Sequence, residues 1–144
     1  MSDAPEELAY EEFEHSADVG LRVRGRSLRE LFQNAGRGMA ELMLDTERVK
    51  PRATREVQVE GDDVEMLLVA WLSEILFAFD ADRFAPATVE VESLSETDVK
   101  GLIRGEPFKE WRHEVRNVIK AVTYHNLKIE KSGGEYRVEI IFDV

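Results

Sequence analysis

The sequence predicts an α+β fold, a mostly antiparallel sheet with two main helices on one face. Three observations carry that prediction. Apolar residues recur at three- and four-residue spacing in two long blocks, 28–43 and 64–79. Segments of two-residue alternation flank both blocks. The helices follow pairs of strands, without the regular strand-helix alternation of a doubly wound sheet. The 144 residues suit one compact domain over 1–144, with the first eight expected to be loose.

Taken in order, Tyr10 to His15 reads as a short strand, and Val19, Leu21 and Val23 alternate with Gly20, Arg22 and Arg24 as a second. His15-Ser16-Ala17-Asp18 joins them. Ser27 and Glu30 stand at capping-box spacing, and Leu28, Leu31, Phe32, Ala35, Met39, Leu42 and Met43 form the apolar stripe of a helix of about four turns. Lys50-Pro51-Arg52 breaks that pattern, and Val57 and Val59 mark a strand ending at Gly61. In the second helix Val64, Leu67, Leu68, Trp71, Leu72, Ile75, Leu76 and Phe79 make one stripe. Met66, Val69 and Phe77 make its other faces apolar as well, so it is expected at the centre of the core. Asp62, Asp63 and Glu65 complement its dipole, and no metal is needed to explain them. Strands follow around Val89–Val91 and Val99–Ile103, then a polar segment from Gly105 to Asn117 with room for a short helix. Val118–Ile129 and Tyr136–Val144 flank Gly133-Gly134 as a hairpin. Its register sets Leu127 opposite Ile140, Ile129 opposite Val138, His125 opposite Phe142 and Tyr124 opposite Asp143. His125 is thereby expected to be a satisfied, partly buried histidine.

Composition removes several classes of function. Hydrophobic residues make up 43% of the chain, enough for a core, which excludes an acidic disordered protein. Without cysteine there is no disulfide, thiolate metal site, iron-sulfur cluster or cysteine nucleophile. The acidic start and the lack of any long apolar run predict a soluble, cytoplasmic protein. A net charge of -11 argues against a surface that grips nucleic acid all over. The charge is uneven, however. Residues 22–37 hold five arginines and one glutamate, and 104–120 hold Arg104, Lys109, Arg112, Arg116 and Lys120 against three glutamates, while 60–82 carry seven acids and no base. Such islands are either solvated faces or a bipolar surface that orients a charged partner.

Asp143 and the Val144 carboxylate close the last strand within one residue of each other, and Asp18 opens an earlier one. If those strands lie antiparallel, the three groups meet at one edge of the sheet. Hard divalent cations gather oxygens at about 2–2.6 Å, so crowded carboxylates invite one. Capping of backbone amides stands beside metal binding as a reading of Asp18. Lys120 either sits at the rim beside Asp143 or is an ordinary surface lysine, His113 is a phosphate ligand or idle, and Glu106 is a turn acid. There is no phosphate-cradling glycine loop, His-Glu-x-x-His, Gly-x-Ser-x-Gly or dinucleotide fingerprint, which leaves an autonomous enzyme with little support.

Phe13-Glu14-His15-Ser16-Ala17-Asp18-Val19-Gly20, the helical run Leu67 to Leu76, Gly105-Glu106, Arg112-His113, Ile119 to His125 and terminal Phe142-Asp143-Val144 together resemble the archease family across almost the whole chain. The resemblance implies nested strand-helix-strand-strand modules. It implies a non-catalytic cofactor of an RtcB-type RNA ligase in tRNA splicing and RNA repair, acting as a monomer and meeting RNA through the ligase. Such a cofactor promotes guanylylation of the ligase and multiple turnover by means of a divalent ion (Ca, Mg or Mn). Carried over by motif, Asp18, Asp143 and Val144 would hold the ion, with His15 and Lys120 in the functional cluster. Two rival readings are a stand-alone metal-dependent nucleotide or phosphoester hydrolase with His113 as general base, and a general chaperone or adaptor.

Overall fold

A computed structural model describes residues 8–15 and 18–144. The expected loose start at 1–8 therefore lies outside the described residues, except for Leu8. In chain order the elements are β1 (Tyr10–His15), β2 (Asp18–Gly25), α1 (Leu28–Met43), a 3-10 turn (Thr46–Arg48), β3 (Ala53–Glu60), α2 (Val64–Asp80), β4 (Phe84–Leu94), β5 (Asp98–Pro107), β6 (Ala121–Val122), β7 (Glu130–Ser132) and β8 (Glu135–Asp143). They form two antiparallel sheets. One runs β1-β2-β8-β6, with β7 also on β8, and the other runs β3-β5-β4. The unit β3-α2-β4-β5 is inserted between α1 and the closing strands of the outer unit, so the two strand-helix-strand-strand modules are nested. Both helices touch both sheets and share one hydrophobic core with them.

Helix starts follow the local chemistry. Ser27 Oγ accepts from the Glu30 amide at 3.1 Å, and the Glu30 carboxylate accepts in return from the Arg26 amide at 3.0 Å. Asp63 caps α2 by accepting from the Met66 amide at 2.8 Å. Glu65 does more than complement a dipole, since it also accepts from the Ile129 amide at 3.0 Å and ties the last hairpin to α2. The helix buries Val69, but Met66 and Phe77 stay exposed, so its apolar girdle is incomplete. Trp71 is fully buried and donates through Nε1 to the Phe32 carbonyl at 3.0 Å, which satisfies its one polar atom. Its ring lies against Gly101, where a Cβ would stand 2.5 Å from Trp71 Cη2 and 2.3 Å from the Glu90 carbonyl.

The final hairpin departs from the expected register. Gly133 and Gly134 take positive φ (59° and 80°), and the pairing Glu130↔Arg137 to Ser132↔Glu135 is the predicted one. Beyond Glu130 the ladder stops, because a turn at Tyr124–Leu127, closed by Leu127 N–H to Tyr124 O at 3.0 Å and with Asn126 at φ 52°, interrupts the strand. Pairing resumes three residues out of phase, with Val122↔Phe142 and Ala121↔Asp143. So Val122, not His125, faces Phe142, and Ala121, not Tyr124, faces Asp143. His125 is exposed on that turn instead of partly buried. Leu127 and Ile129 still pack on the core, although neither belongs to a paired strand.

No helix forms in 105–117; Gly105 to Pro107 finish β5, and the rest is irregular chain with a turn at 110–112. What orders it is a buried polar pair. His113 Nδ1 accepts from the Lys109 amide at 2.9 Å, so its proton is on Nε2, which donates to Glu106 Oε2 at 2.9 Å. Glu106 also accepts from the Lys50 amide at 2.9 Å and sits 3.4 Å from Arg112 and 3.7 Å from Arg52. The Lys50 bond, then the His113 bond, hold the Glu106 carboxyl below the usual carboxylate range against an opposing desolvation. The segment then docks on the end of α1, where Arg116 N–H and the Asn117 side chain donate to the Met43 and Leu42 carbonyls at 2.8 and 2.7 Å.

Gly101→Ala is expected to lower stability by about 1–3 kcal/mol, read by urea denaturation, since both neighbours of the new methyl are rigid. Glu106→Gln is expected to cost about 1–3 kcal/mol at pH 7 by leaving the groups around it poorly paired. Because the folded-state value is depressed, the carboxylate's contribution is present above its unfolded value and lost as pH falls through the folded one. The gap between wild type and Glu106→Gln should therefore narrow as pH drops below about 4.5, and a gap independent of pH would contradict the assignment.

Candidate metal-binding site

β8 is flanked on both sides, and its last residues are where the predicted site residues meet. On one side Val19 pairs with Phe142, the last pair of the β2–β8 ladder, and extending that register by one residue sets Asp18 opposite Asp143. On the other side Ala121 pairs with Asp143, and the Lys120 N–H donates to the Asp143 carbonyl at 2.7 Å. His15 joins from the outer strand, where its backbone pairs with Asp18. The side chains of Glu14 and His15, and residues Ser16 and Ala17, lie outside the described residues, so the structure places only the main chain of His15 in the cluster.

Directly opposed residues of an antiparallel pair project from the same face with Cβ atoms about 4.5–5.5 Å apart. The Arg22–Glu139 ion pair at 2.8 Å, four residues back on the same face of this ladder, shows that register in the side chains. Asp18 and Asp143 thus present carboxylates to one region, with Asp18 half-buried and Asp143 exposed. Phe142 on the opposite face is fully buried and anchors the strand end, and half-buried Val144 packs against the core. Lys120 is exposed at the rim.

The donor set is two aspartate side chains and the main chain of Val144. All are hard oxygen ligands, the chemistry that suits Ca, Mg or Mn. Among the described residues no three His, Asp or Glu side chains converge as a metal cage, so an ion here needs main-chain oxygen or water to complete its shell. The residues fit a cation that keeps part of its hydration.

His113 does not join this cluster and is not available as a general base. Its side chain is wholly inaccessible, one ring nitrogen accepts a backbone N–H, and the other faces Glu106. Reading Glu106 as a turn acid missed its burial. The only sequence signal was the proximity of Glu106 and Arg112-His113, which does not say that chain between them folds back. Among the described residues no helix is long and apolar enough to cross a membrane.

The fold agrees with what the chain is similar to. Residues 10–144 match the family model described as the Archease protein family (MTH1598/TM1083). A protein archease of Sulfurisphaera tokodaii is 39% identical over 137 residues, covering 94% of this chain and 98% of its own. One of Saccharolobus islandicus is 41% identical over 138 residues, covering 94% and 99%. The solution structure of Methanobacterium thermoautotrophicum protein 1598 superposes with a TM-score of 0.79 at 32% identity, covering 94% of this chain and 99% of that one. A Thermotoga maritima crystal structure, described as an archease, possible chaperone, shares the fold with a TM-score of 0.65 at 21% identity, covering 92% and 94%. With a family match and relatives that span nearly its full length, this chain belongs to the archease family.

Proposed function

We propose that this protein is a non-catalytic cofactor of an RtcB-type RNA ligase in tRNA splicing and RNA repair. It promotes guanylylation of the ligase and multiple turnover through a divalent cation held by Asp18, Asp143 and the Val144 main chain, with Lys120 and His15 beside them. The observation that carries this reading is the register of β8, which gathers residues from both ends of the chain at one exposed strand end.

When bound, the ion neutralises phosphate charge where a nucleotidyl group is transferred. The chain's own contribution is placement. Asp143 is held by its pairing with Ala121 and by the Lys120 amide, one residue beyond the last β2–β8 pair, so its carboxylate is presented on anchored backbone. The Lys120 ammonium, exposed next to it, supplies a mobile cation able to follow phosphate oxygens. The general base of the rival hydrolase reading, His113, is sealed away against Glu106. The protein therefore lends ions and geometry to a partner's active site, and that partner does the chemistry.

A chaperone or adaptor role is the second reading, supported by apolar side chains left in solvent, among them Trp111 at 80% and Val118 at 70% exposure. It predicts binding to many unfolded clients and indifference to Asp18.

Asp18→Asn and Asp143→Asn should each reduce stimulation of the ligase to within about twofold of the ligase-alone rate, in single-turnover guanylylation and multiple-turnover ligation alike. Far-UV circular dichroism should show both variants folded, since each is isosteric and near the surface. Stimulation by Asp18→Asn equal to wild type would remove the proposal. Incubated with GTP and RNA ends but no ligase, the protein should give no product.

A further inference from the structure

The fold brings together three arginines that the sequence keeps apart. Arg29, Gln33 and Arg37 succeed one another along one side of α1, and that side faces β4 and β5, where Thr88 pairs with Arg104. Together with Glu90 they line an open groove of about 410 Å³. The groove has a rigid wall, since Gln33 Oε1 accepts from the amide of Val91 at 3.0 Å and so ties α1 to the free edge of β4. Arg104 is oriented by Glu90 at 3.1 Å. Arg29 and Arg37 are exposed and make no ion pair among the described residues.

A chain with a net charge of -11 thus sets three guanidiniums against one carboxylate on a single groove. Several arginines elsewhere on the described surface are matched, as Arg22 is by Glu11 and Glu139, and Arg55 is by Asp82. Guanidinium is the cation whose planar fork fits phosphate oxygens two at a time. Arg29 and Arg37 are eight residues apart, about 12 Å along a helix, which is too far for one phosphate and suits two separate phosphates of one strand. Arg104 faces them from across the groove, and Gln33 and Thr88 offer neutral donors between. The single carboxylate, Glu90, keeps Arg104 in place while the groove is free.

We propose that this groove binds the phosphate backbone of a single-stranded RNA. The choice of RNA over another polyphosphate rests on the proposed function, whereas the phosphate recognition rests on the groove alone and does not involve the cation site. Binding would let the protein hold a strand near the ligase instead of meeting RNA only through it.

The test is fluorescence anisotropy of a labelled single-stranded RNA against the full chain without ligase, across a salt series. Wild type should bind, and Arg29→Ala/Arg37→Ala should bind at least tenfold more weakly, with a salt slope smaller by roughly 1.4, about 0.7 for each phosphate no longer neutralised. Arg55→Ala/Arg137→Ala, which removes the same charge elsewhere, should bind as wild type does. Asp18→Asn should too, so loss of ligase stimulation and loss of RNA binding are separable failures. Equal weakening by both arginine pairs, or no RNA binding by wild type at low salt, would overturn the proposal. Binding of inorganic triphosphate without binding of RNA would overturn it as well.

Discussion

The antiparallel ladder between β2 and β8, from Val19↔Phe142 to Gly25↔Tyr136, is the constraint on which the rest of the molecule depends. It joins the first described strands to the last and closes the outer module around the inserted β3-α2-β4-β5 unit. One face of this ladder is core, with Leu21, Val23, Val138, Ile140 and Phe142 all buried. A slip of one residue would turn every one of these side chains to solvent, so the register is strongly specified. The acidic strand end takes its position from that register, because Asp18 and Asp143 are the next residues after its last pair, Val19↔Phe142. Burial at one face thus fixes charge placement at the other.

A second level of support comes from the segment between β5 and β6. It carries Lys120 to the strand end, and it has almost no regular structure to hold it. The Glu106–His113 pair, the Lys109 amide and the α1 carbonyls do that instead. Three polar attachments of unlike kind replace a strand or helix. At the far side of the fold Tyr10 bonds to Glu41 and joins β1 to α1, and burial, then that carboxylate, push its hydroxyl up to about 12. It is therefore a permanent donor across the physiological range.

How much of this was readable beforehand depended on whether the signal was local. Capping by Ser27, the stripe from Leu31 to Met39 and the alternation from Val19 to Val23 all lie within one element, and each marks that element correctly. The Gly133-Gly134 turn predicted the hairpin register as far as Glu130. It failed at His125 because the Tyr124–Leu127 turn depends on Asn126 taking a left-handed conformation and on Thr123 bonding to Ile141, neither of which apolar spacing reveals. The division into two sheets was not visible either, since strand partners are set by tertiary packing. Asp18, Asp143 and Lys120 could be brought together on paper because two strand ends and one register suffice. The Arg29, Arg37 and Arg104 groove could not, because it depends on the β4–β5 pairing and on the packing of α1 against β4, which residue spacing does not reveal.

Whether the strand end holds a cation is the claim that most of the functional account rests on, and it can be tested without any partner. Titrating manganese into isotopically labelled protein reports proximity through paramagnetic broadening of amide signals. The account predicts that broadening begins at Asp18 and Val19, at Lys120 and Ala121, and at Phe142 to Val144, and is lost in Asp143→Asn. Broadening that starts elsewhere, or an unchanged pattern in that variant, would contradict it.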